Sequence, residues 1–174
     1  MTGPNGSGKS TLLRVLAGLL RPAAGRVSLE GIGEAGDAPG VHTHYLGHLD
    51  GLKSALTTRE NLAFWAAVLD PGAGRARPGL DPAEALRLLG LAHATDLPVS
   101  FLSAGQKRRV ALARLLCASR PLWLLDEPTT ALDLASQQRL SEMIGEHRAG
   151  GGLLVLATHA PLDLPEARVL RLTG

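Results

Sequence analysis

A glycine-rich segment reads Gly3, Pro4, Asn5, Gly6, Ser7, Gly8, Lys9, Ser10 and Thr11. It matches the pattern G-x-x-x-x-G-K-[ST], whose glycines let consecutive backbone N–H groups curl around an anion. A helix is predicted over 10–20, and its N-terminus adds a favourable dipole for the same anion. We expect Lys9 to neutralise the β- and γ-phosphates of a nucleotide and Ser10 to offer its hydroxyl to Mg²⁺. The segment therefore predicts a nucleotide-binding loop.

The rest of the chain alternates predicted strands and helices. Further helices are expected over 105–119 and 134–147, and strands over 25–29, 44–46, 122–126, 153–158 and 168–172. The first helix should end at Arg21-Pro22, because proline cannot continue a helix. This alternation favours an α/β fold with a mostly parallel sheet and helices on its faces.

Residues 51–100 have a different pattern, helical with breakers. Thr57 and Glu60 have the spacing of a capping box. Asp81 is placed as the N-cap of a second helix, with Pro82 in its first turn. We therefore expect a helical subdomain over 51–100, inserted into an α/β core formed by 1–50 and 101–174.

The composition is that of an ordinary globular domain, with 45% apolar residues, 20% charged residues and a net charge of +2. This weak basic excess, without a run of like charges, gives little support to nucleic-acid binding. Cys117 is the only cysteine and lies in an apolar helical pattern, so we expect a small buried hydrophobe rather than a reactive thiol. The longest apolar runs are too short to span a bilayer, so we expect any membrane association to go through a partner.

Two carboxylates, Asp126 and Glu127, end the most apolar predicted strand. Asp126 is placed to hold Mg²⁺ through water, and Glu127 to polarise the attacking water. Alone, the pair is also compatible with a solvated acidic turn. Beside a phosphate-binding loop it indicates nucleotide hydrolysis, because hydrolysis needs both parts.

The segment Leu102-Ser103-Ala104-Gly105-Gln106 opens the helix expected over 105–119. Ser103 and the N–H of Gly105 are suited to hold phosphate oxygens at a helix N-terminus. Ser103 is equally suited to be a simple N-cap. A second phosphate-binding helix end is redundant in one monomer, but it is useful if it meets ATP held by another subunit.

Together these segments resemble the ATP-binding-cassette (ABC) family. Residues 3–11 resemble its Walker A loop, 102–106 its signature with Ala104 for the usual central glycine, and 122–127 its Walker B strand. Residues 131–133 resemble the D-loop and His159 the switch histidine. The order and spacing agree with the family, and the signature excludes a phosphate-loop kinase, which has no use for it.

The resemblance implies a P-loop NTPase with a RecA-like core, an ATPase that works as a head-to-tail homodimer. Two ATPs would lie between Walker A of one subunit and the signature of the other. Ser103, Gly105 and Gln106 would then contact the nucleotide across the interface. Asp133 would couple the two sites, and His159 would contact the γ-phosphate, with Glu127 as the catalytic base. Without the family, His159 is equally well read as an ordinary histidine at a strand end.

The family usually has glutamine after the strand that precedes the helical subdomain, where it contacts Mg²⁺. Tyr45-Leu46-Gly47-His48 occupies that place here, so His48 is the candidate metal ligand. An alternative is metal or haem ligation by His42, His44 and His48, which would share one face if all three lay on a strand.

Only Met1 and Thr2 precede the loop, where the family has β-strands and an aromatic side chain that stacks on adenine. The resemblance therefore implies an N-terminally truncated cassette. We expect that translation starts upstream of Met1, and a damaged fragment is the alternative.

Residues 45–62 are similar to the subfamily that powers the cytochrome c maturation haem exporter, the CcmA type, and 103–114 and 121–128 agree with it. This resemblance implies CcmB- and CcmC-type membrane subunits as partners, at the cytoplasmic face of the inner membrane. Three alternatives stay open: the ATPase of another small-molecule exporter, a soluble cassette protein of translation or DNA repair, and a non-catalytic remnant.

Overall fold

The computed structural model describes residues 1–33, 37–69, 79–159, 164 and 167–173. The chain divides into two compact units. Unit 1 comprises Met1–His48, Arg120–Thr129 and Ser141–Gly174, and unit 2 comprises Leu49–Ser119 and Thr130–Leu140. The predicted subdomain over 51–100 stays a prediction; unit 2 contains this range together with the residues that carry the signature.

Among the described residues, the sheet of unit 1 has three parallel strands in the order β1-β2-β3: β1 Thr43–Leu46, β2 Leu122–Asp126 and β3 Leu153–Ala157. All five residues of β2 are buried, as expected for the central strand of a parallel sheet covered on both faces. Helix α1, Lys9–Leu16, packs against β2. Leu13 of α1 belongs to the same buried cluster as Leu122, Leu124 and Ala157. This cluster anchors the segment that leads into α1.

Two predicted strands of unit 1 are wrong. Residues 25–29 are largely exposed and form no strand in the structure as described. Glycines at 25 and 31 both have positive φ, so the chain turns at each end before a ladder can extend. Residues 168–172 form only an isolated parallel bridge, between Thr2 and Arg171. Both segments contain the β-branched and apolar residues of a short strand, but a strand also requires a neighbour to pair with.

The predicted end of α1 is also wrong, because the helix stops at Leu16 rather than near Pro22. Gly18 has φ +73°, and the N–H of Leu19 donates to the carbonyl oxygen of Arg14 at 2.9 Å. This is the geometry of a helix closed by a left-handed glycine. The glycine ends α1 before the proline is reached.

Unit 2 contains helices α2 Thr58–Leu69, α3 Pro82–Leu88 and α4 Ala104–Cys117, with 3₁₀ turns at Ala92–Ala94 and Val99–Phe101. Helix α5, Leu134–Ala149, contributes 134–140 to unit 2 and the remainder to unit 1. A third 3₁₀ turn, Pro39–His42, precedes β1 in unit 1. Both predicted caps are confirmed: Glu60 accepts from the N–H of Thr57 at 2.8 Å, and Asp81 accepts from the N–H of Ala83 at 2.8 Å.

Helix α4 carries a buried charged network. Nη1 of Arg108 lies 3.0 Å from Oδ1 of Asp50. Arg114 stacks over the ring of Trp65 at 4.6 Å, and the indole N–H of Trp65 donates to the carbonyl oxygen of Gly51 at 3.0 Å. Burial lowers the pKa of Arg114 to about 10, with the Asp50 carboxylate acting in the opposite direction. These contacts fix residues 50–51 against α4.

Cys117 ends α4 and is buried, as predicted. Burial raises the pKa of its thiol to about 12, and the nearby Asp81 carboxylate acts in the same direction. A thiol in this environment is protonated at neutral pH and therefore a poor nucleophile. Within the described ranges, no helix combines the length and apolarity that crossing a membrane requires.

Candidate functional site

The phosphate-binding loop has the backbone that its sequence predicts. Gly8 is the N-cap of α1 and has φ +89°, a conformation that residues with a Cβ rarely adopt. Gly3 is constrained differently, because a Cβ at this position would collide with the carbonyl oxygen of Leu172. The loop therefore needs glycine for two reasons: Gly8 adopts a left-handed conformation, and Gly3 lies close to the backbone of Leu172.

Lys9 is buried, and its ammonium is folded back over the loop. Nζ donates to the carbonyl oxygens of Gly3 at 2.8 Å and Pro4 at 2.9 Å. Oγ of Ser7 is buried and has no hydrogen-bond partner among the described residues. An orphan hydroxyl, an ammonium group and the first N–H groups of a helix form a cradle that fits a phosphate group.

Glu127 follows β2 in a strained backbone conformation, with φ +46°. Its N–H donates to the carbonyl oxygen of Ala157 at 2.8 Å, which fixes the residue beside the end of β3. Positive φ is uncommon for residues other than glycine, and such strain concentrates at functional positions. The backbone conformation therefore orients the Glu127 carboxylate, and this conformation lowers local stability.

The structure brings Glu127, His159 and Asn5 together within unit 1. The backbone N–H of His159 donates to Oε2 of Glu127 at 3.3 Å, and its Nε2 lies 3.6 Å from Oε1. The same Nε2 lies 3.1 Å from Oδ1 of Asn5. The two predicted catalytic residues thus touch one another, and His159 also touches a residue of the phosphate-binding loop. Their catalytic roles stay predictions.

The predicted Mg²⁺ ligands are Ser10, Asp126 and His48. Ser10 is partly buried in the first turn of α1, Asp126 is buried at the end of β2, and His48 is exposed beyond β1. Over the described residues, no group of three or more His, Cys, Asp or Glu side chains is arranged to hold a metal. A hydroxyl and a carboxylate fit Mg²⁺, which retains several waters and usually takes one or two carboxylates together with substrate phosphates.

The alternative that His42, His44 and His48 share one strand face is wrong. His42 ends a 3₁₀ turn and its Nε2 lies 2.7 Å from Oδ2 of Asp37, whereas His44 is buried on β1. The turn breaks the period-two alternation on which the shared face depended.

The predicted signature lies at the start of α4 in unit 2. Oγ of Ser103 accepts from the N–H of Gln106 at 3.2 Å, and Oε1 of Gln106 accepts from the N–H of Ser103 at 2.9 Å. This reciprocal pair is a capping box, so the simpler reading of Ser103 as an N-cap is confirmed. Nε2 of Gln106 lies 3.4 Å from Nε2 of His93. A phosphate-contacting role for Ser103, Gly105 and Gln106 stays a prediction.

The segment resembling the D-loop lies in the same unit. Ala131 has φ +63°, and Oδ1 of Asp133 accepts from the N–H of Ser136 at 2.8 Å. Hydrogen bonds from Ser136, followed by the charge of Arg109, lower the pKa of Asp133. Asp133 therefore acts as an ionised cap at the start of α5, which holds the preceding turn.

Sequence reasoning missed the pairing of Asn5 with His159 and the approach of Gly105 to Ala131. These pairs are far apart along the chain and carry no shared local pattern. The sequence signal for these contacts was that each of the four residues lies in a motif that the sequence analysis had identified.

The family model described as ABC transporter matches residues 1–130. The chain belongs to the ATP-binding-cassette transporter family. It is similar to the cytochrome c biogenesis ATP-binding export protein CcmA of Paramagnetospirillum magneticum, with 55% identity over 174 residues, 99% of this chain and 79% of that protein. The CcmA protein of Bradyrhizobium diazoefficiens is 52% identical over 174 residues, 100% of this chain and 83% of that protein.

A solved structure shows the same fold. It is a dimeric structure of the ATP-binding cassette MJ0796 in a post-hydrolysis state, bound to ADP and Pi. Its TM-score to this chain is 0.76 at 27% identity, covering 91% of this chain and 72% of that one. The predicted α/β P-loop fold of an ABC cassette, the resemblance to the CcmA type and the assignment as a nucleotide-binding ATPase are confirmed.

Proposed function

We propose that this chain is the ATPase subunit of a membrane transporter of cytochrome c biogenesis and drives its membrane partners by MgATP hydrolysis. The observation that carries the chemistry is the Glu127 carboxylate, held against His159 beside the phosphate-binding loop. The identity of 55% to a CcmA export protein over nearly the whole chain supports the biological role.

The loop residues bind and orient the nucleotide. Lys9 already sits over the loop on two carbonyl oxygens, so the ammonium can exchange these neutral acceptors for phosphate oxygens with little rearrangement. Ser7 contributes its unsatisfied hydroxyl, and the helix end contributes N–H groups. The remaining loop positions, including Gly6 and Thr11, surround the phosphates. When bound, Mg²⁺ supplies charge neutralisation at the β- and γ-phosphates, held by Ser10 and Asp126 and assisted by His48.

Glu127 accepts the proton of the attacking water. The strained backbone and the hydrogen bond from the N–H of His159 fix its carboxylate, which reduces the reorganisation needed in the transition state. His159 contacts the γ-phosphate through its imidazole. Removal of Glu127 as a base therefore affects turnover rather than binding.

Two copies of the chain form the working unit. Ser103, Gly105 and Gln106 of one copy contact the ATP bound by the other, and Asp133 couples the two sites. The dimeric MJ0796 structure, at 27% identity, supports this arrangement. CcmB- and CcmC-type membrane subunits are the partners that this ATPase dimer drives, at the cytoplasmic face of the inner membrane.

The test is the Glu127→Gln variant, produced with its membrane subunits in a host that lacks its own counterpart. We expect retained ATP binding, a stable ATP-bound dimer, turnover reduced by at least about 100-fold, and loss of haem-attached cytochrome c. Glu30→Gln is the matched control, because Glu30 is an exposed glutamate of unit 1 outside the site. Unchanged hydrolysis by Glu127→Gln contradicts the catalytic assignment. Lost hydrolysis with normal cytochrome c assigns the ATPase to another exporter.

A further inference from the structure

Two oxygen atoms face Nε2 of His159. Oδ1 of Asn5 lies at 3.1 Å and Oε1 of Glu127 at 3.6 Å. An ionised carboxylate only accepts hydrogen bonds, so Glu127 favours a hydrogen on Nε2 but does not itself fix it there. The shorter distance is that of a hydrogen bond and the longer one is not. Asn5 therefore takes the hydrogen bond from the imidazole.

The orientation of the Asn5 amide follows from the same carboxylate. If its amide nitrogen faced His159, Nε2 would have to be the bare acceptor. The lone pair of Nε2 would then point towards the negative charge of Glu127, which is repulsive. The three groups are therefore mutually compatible when Oδ1 of Asn5, rather than its amide nitrogen, faces His159.

Burial does not hold the imidazole in place, because the His159 side chain is 54% exposed. The bond from its backbone N–H to Glu127 fixes the main chain, but it leaves the side-chain torsions free. The hydrogen bond to Asn5 supplies the missing restraint, across 154 residues of sequence.

We propose that Asn5 is a positioning residue that selects the Nε2–H tautomer of His159 and directs that N–H towards the phosphate-binding loop. The inference rests on the proposed function, in which His159 contacts the γ-phosphate. Asn5 thereby acts through His159, in addition to its place in the loop. When nucleotide binds, this N–H passes from the Asn5 oxygen to a phosphate oxygen, whereas the Nδ1–H tautomer presents a lone pair there and repels it.

The first test reads the tautomer directly. The full chain is labelled with ¹⁵N in its histidine rings, and two-bond ¹⁵N–¹H correlation spectra are recorded without nucleotide at neutral pH. The chain has six histidines, so the spectrum of His159→Gln assigns the signals of His159. We expect Nε2–H in the native chain, a mixture of tautomers in Asn5→Ala, and retained Nε2–H in Asn5→Asp, which keeps an oxygen acceptor. An unchanged His159 spectrum in Asn5→Ala, or Nδ1–H in the native chain, overturns the proposal.

The second test separates positioning from phosphate binding. Loss of the restraint that pre-orients the imidazole costs about as much as one neutral hydrogen bond, which lowers kcat by about 3- to 10-fold, so Asn5→Ala should show this fall with an ATP KM within about 2-fold of native. A raised KM with unchanged kcat assigns Asn5 to phosphate binding alone and overturns the proposal. Asn5 is exposed, so its truncation leaves the core intact. If instead Glu127→Gln retains hydrolysis, the proposed function fails while the tautomer result stands.

Discussion

A Cβ atom on Gly105 would lie 2.8 Å from the carbonyl oxygen of Ala131. The first turn of α4, which carries the signature, thus touches the main chain of the segment resembling the D-loop. Ala131 has φ +63° and cannot move freely. A glycine at position 105 is what permits this apposition of two backbones.

Gly105→Ala should therefore destabilise the chain, although alanine is the better helix former. Because the obstacle is backbone rather than a flexible side chain, the overpacking should lower the free energy of unfolding by about 1–3 kcal/mol. Gly145→Ala in α5 is the matched control, since a Cβ there meets nothing within 4 Å. That control should raise stability by about 0.5–1 kcal/mol. Urea unfolding measures both, and an equal gain in the two variants would contradict the contact.

Lys9→Ala should weaken nucleotide binding itself. A charge-assisted hydrogen bond contributes about 1.5–3 kcal/mol, so we expect the Kd for ATP to rise by about 10- to 100-fold. Titration calorimetry of the purified chain measures the affinity. Lys53→Ala is the control, because Lys53 belongs to unit 2, lies over the Phe64 ring at 4.6 Å and is part of no predicted nucleotide-binding motif. Equal affinity of the Lys9 variant and the native chain would undermine the phosphate-loop assignment.

His147 should make stability depend on pH. Its ring stacks on Trp123 with centroids 4.0 Å apart, and burial lowers its pKa below the usual 6.5, against the bond to the Leu153 carbonyl. The unfolded chain then binds the proton more readily, so stability is complete above about pH 6.5 and falls as pH drops through the folded-state pKa. His147→Phe removes the titration and keeps a stacked ring.

The comparison is made by urea unfolding at pH 7.5 and pH 5.5, with the difference between native chain and variant isolating His147. The native chain should lose more stability between these conditions than His147→Phe does. An equal loss would show that protonation of this ring is not disfavoured by folding.

Asp50→Asn should be costly because it leaves the buried Arg108 guanidinium without this carboxylate. Arg108 is 4% exposed and Asp50 26% exposed, so we expect a loss of about 2–3 kcal/mol in unfolding free energy, near the lower end for buried pairs. The matched control is Asp96→Asn, which breaks the exposed pair with Arg59, 2.9 Å apart. That change should cost under about 1 kcal/mol. Equal losses in the two variants would argue against a buried electrostatic role.

Local sequence signals predicted the elements whose ends are marked by residues within or next to the element. The strand over 122–126 was predicted to the residue, because an uninterrupted apolar run ends at two carboxylates. The caps at Thr57 and Asp81 were visible for the same reason, since donor and acceptor lie within three residues. Segments 25–29 and 168–172 were wrong because a strand is defined by its partner, which no local pattern reveals.

In the candidate site, too, some features have a local sequence signal and others do not. Lys9 and Glu127 were visible because each lies in a motif whose residue types indicate its chemistry. Their partners were not visible, because the contact of His159 with Asn5 spans 154 residues. Of the two histidines that the sequence grouped with His48, His42 lies in a 3₁₀ turn and His44 on β1, a difference that hydrophobic periodicity does not encode.

Glu127 occupies a backbone conformation, at φ +46°, that glycine would adopt without strain. A Glu127→Gly variant would relieve about 1–2 kcal/mol of steric conflict at this residue and at the same moment abolish the carboxylate. Under the proposed function, selection for thermal stability and selection for turnover therefore favour different residues at this position. A redesign of residue 127 for stability alone would remove the carboxylate to which the proposed function assigns the activation of water.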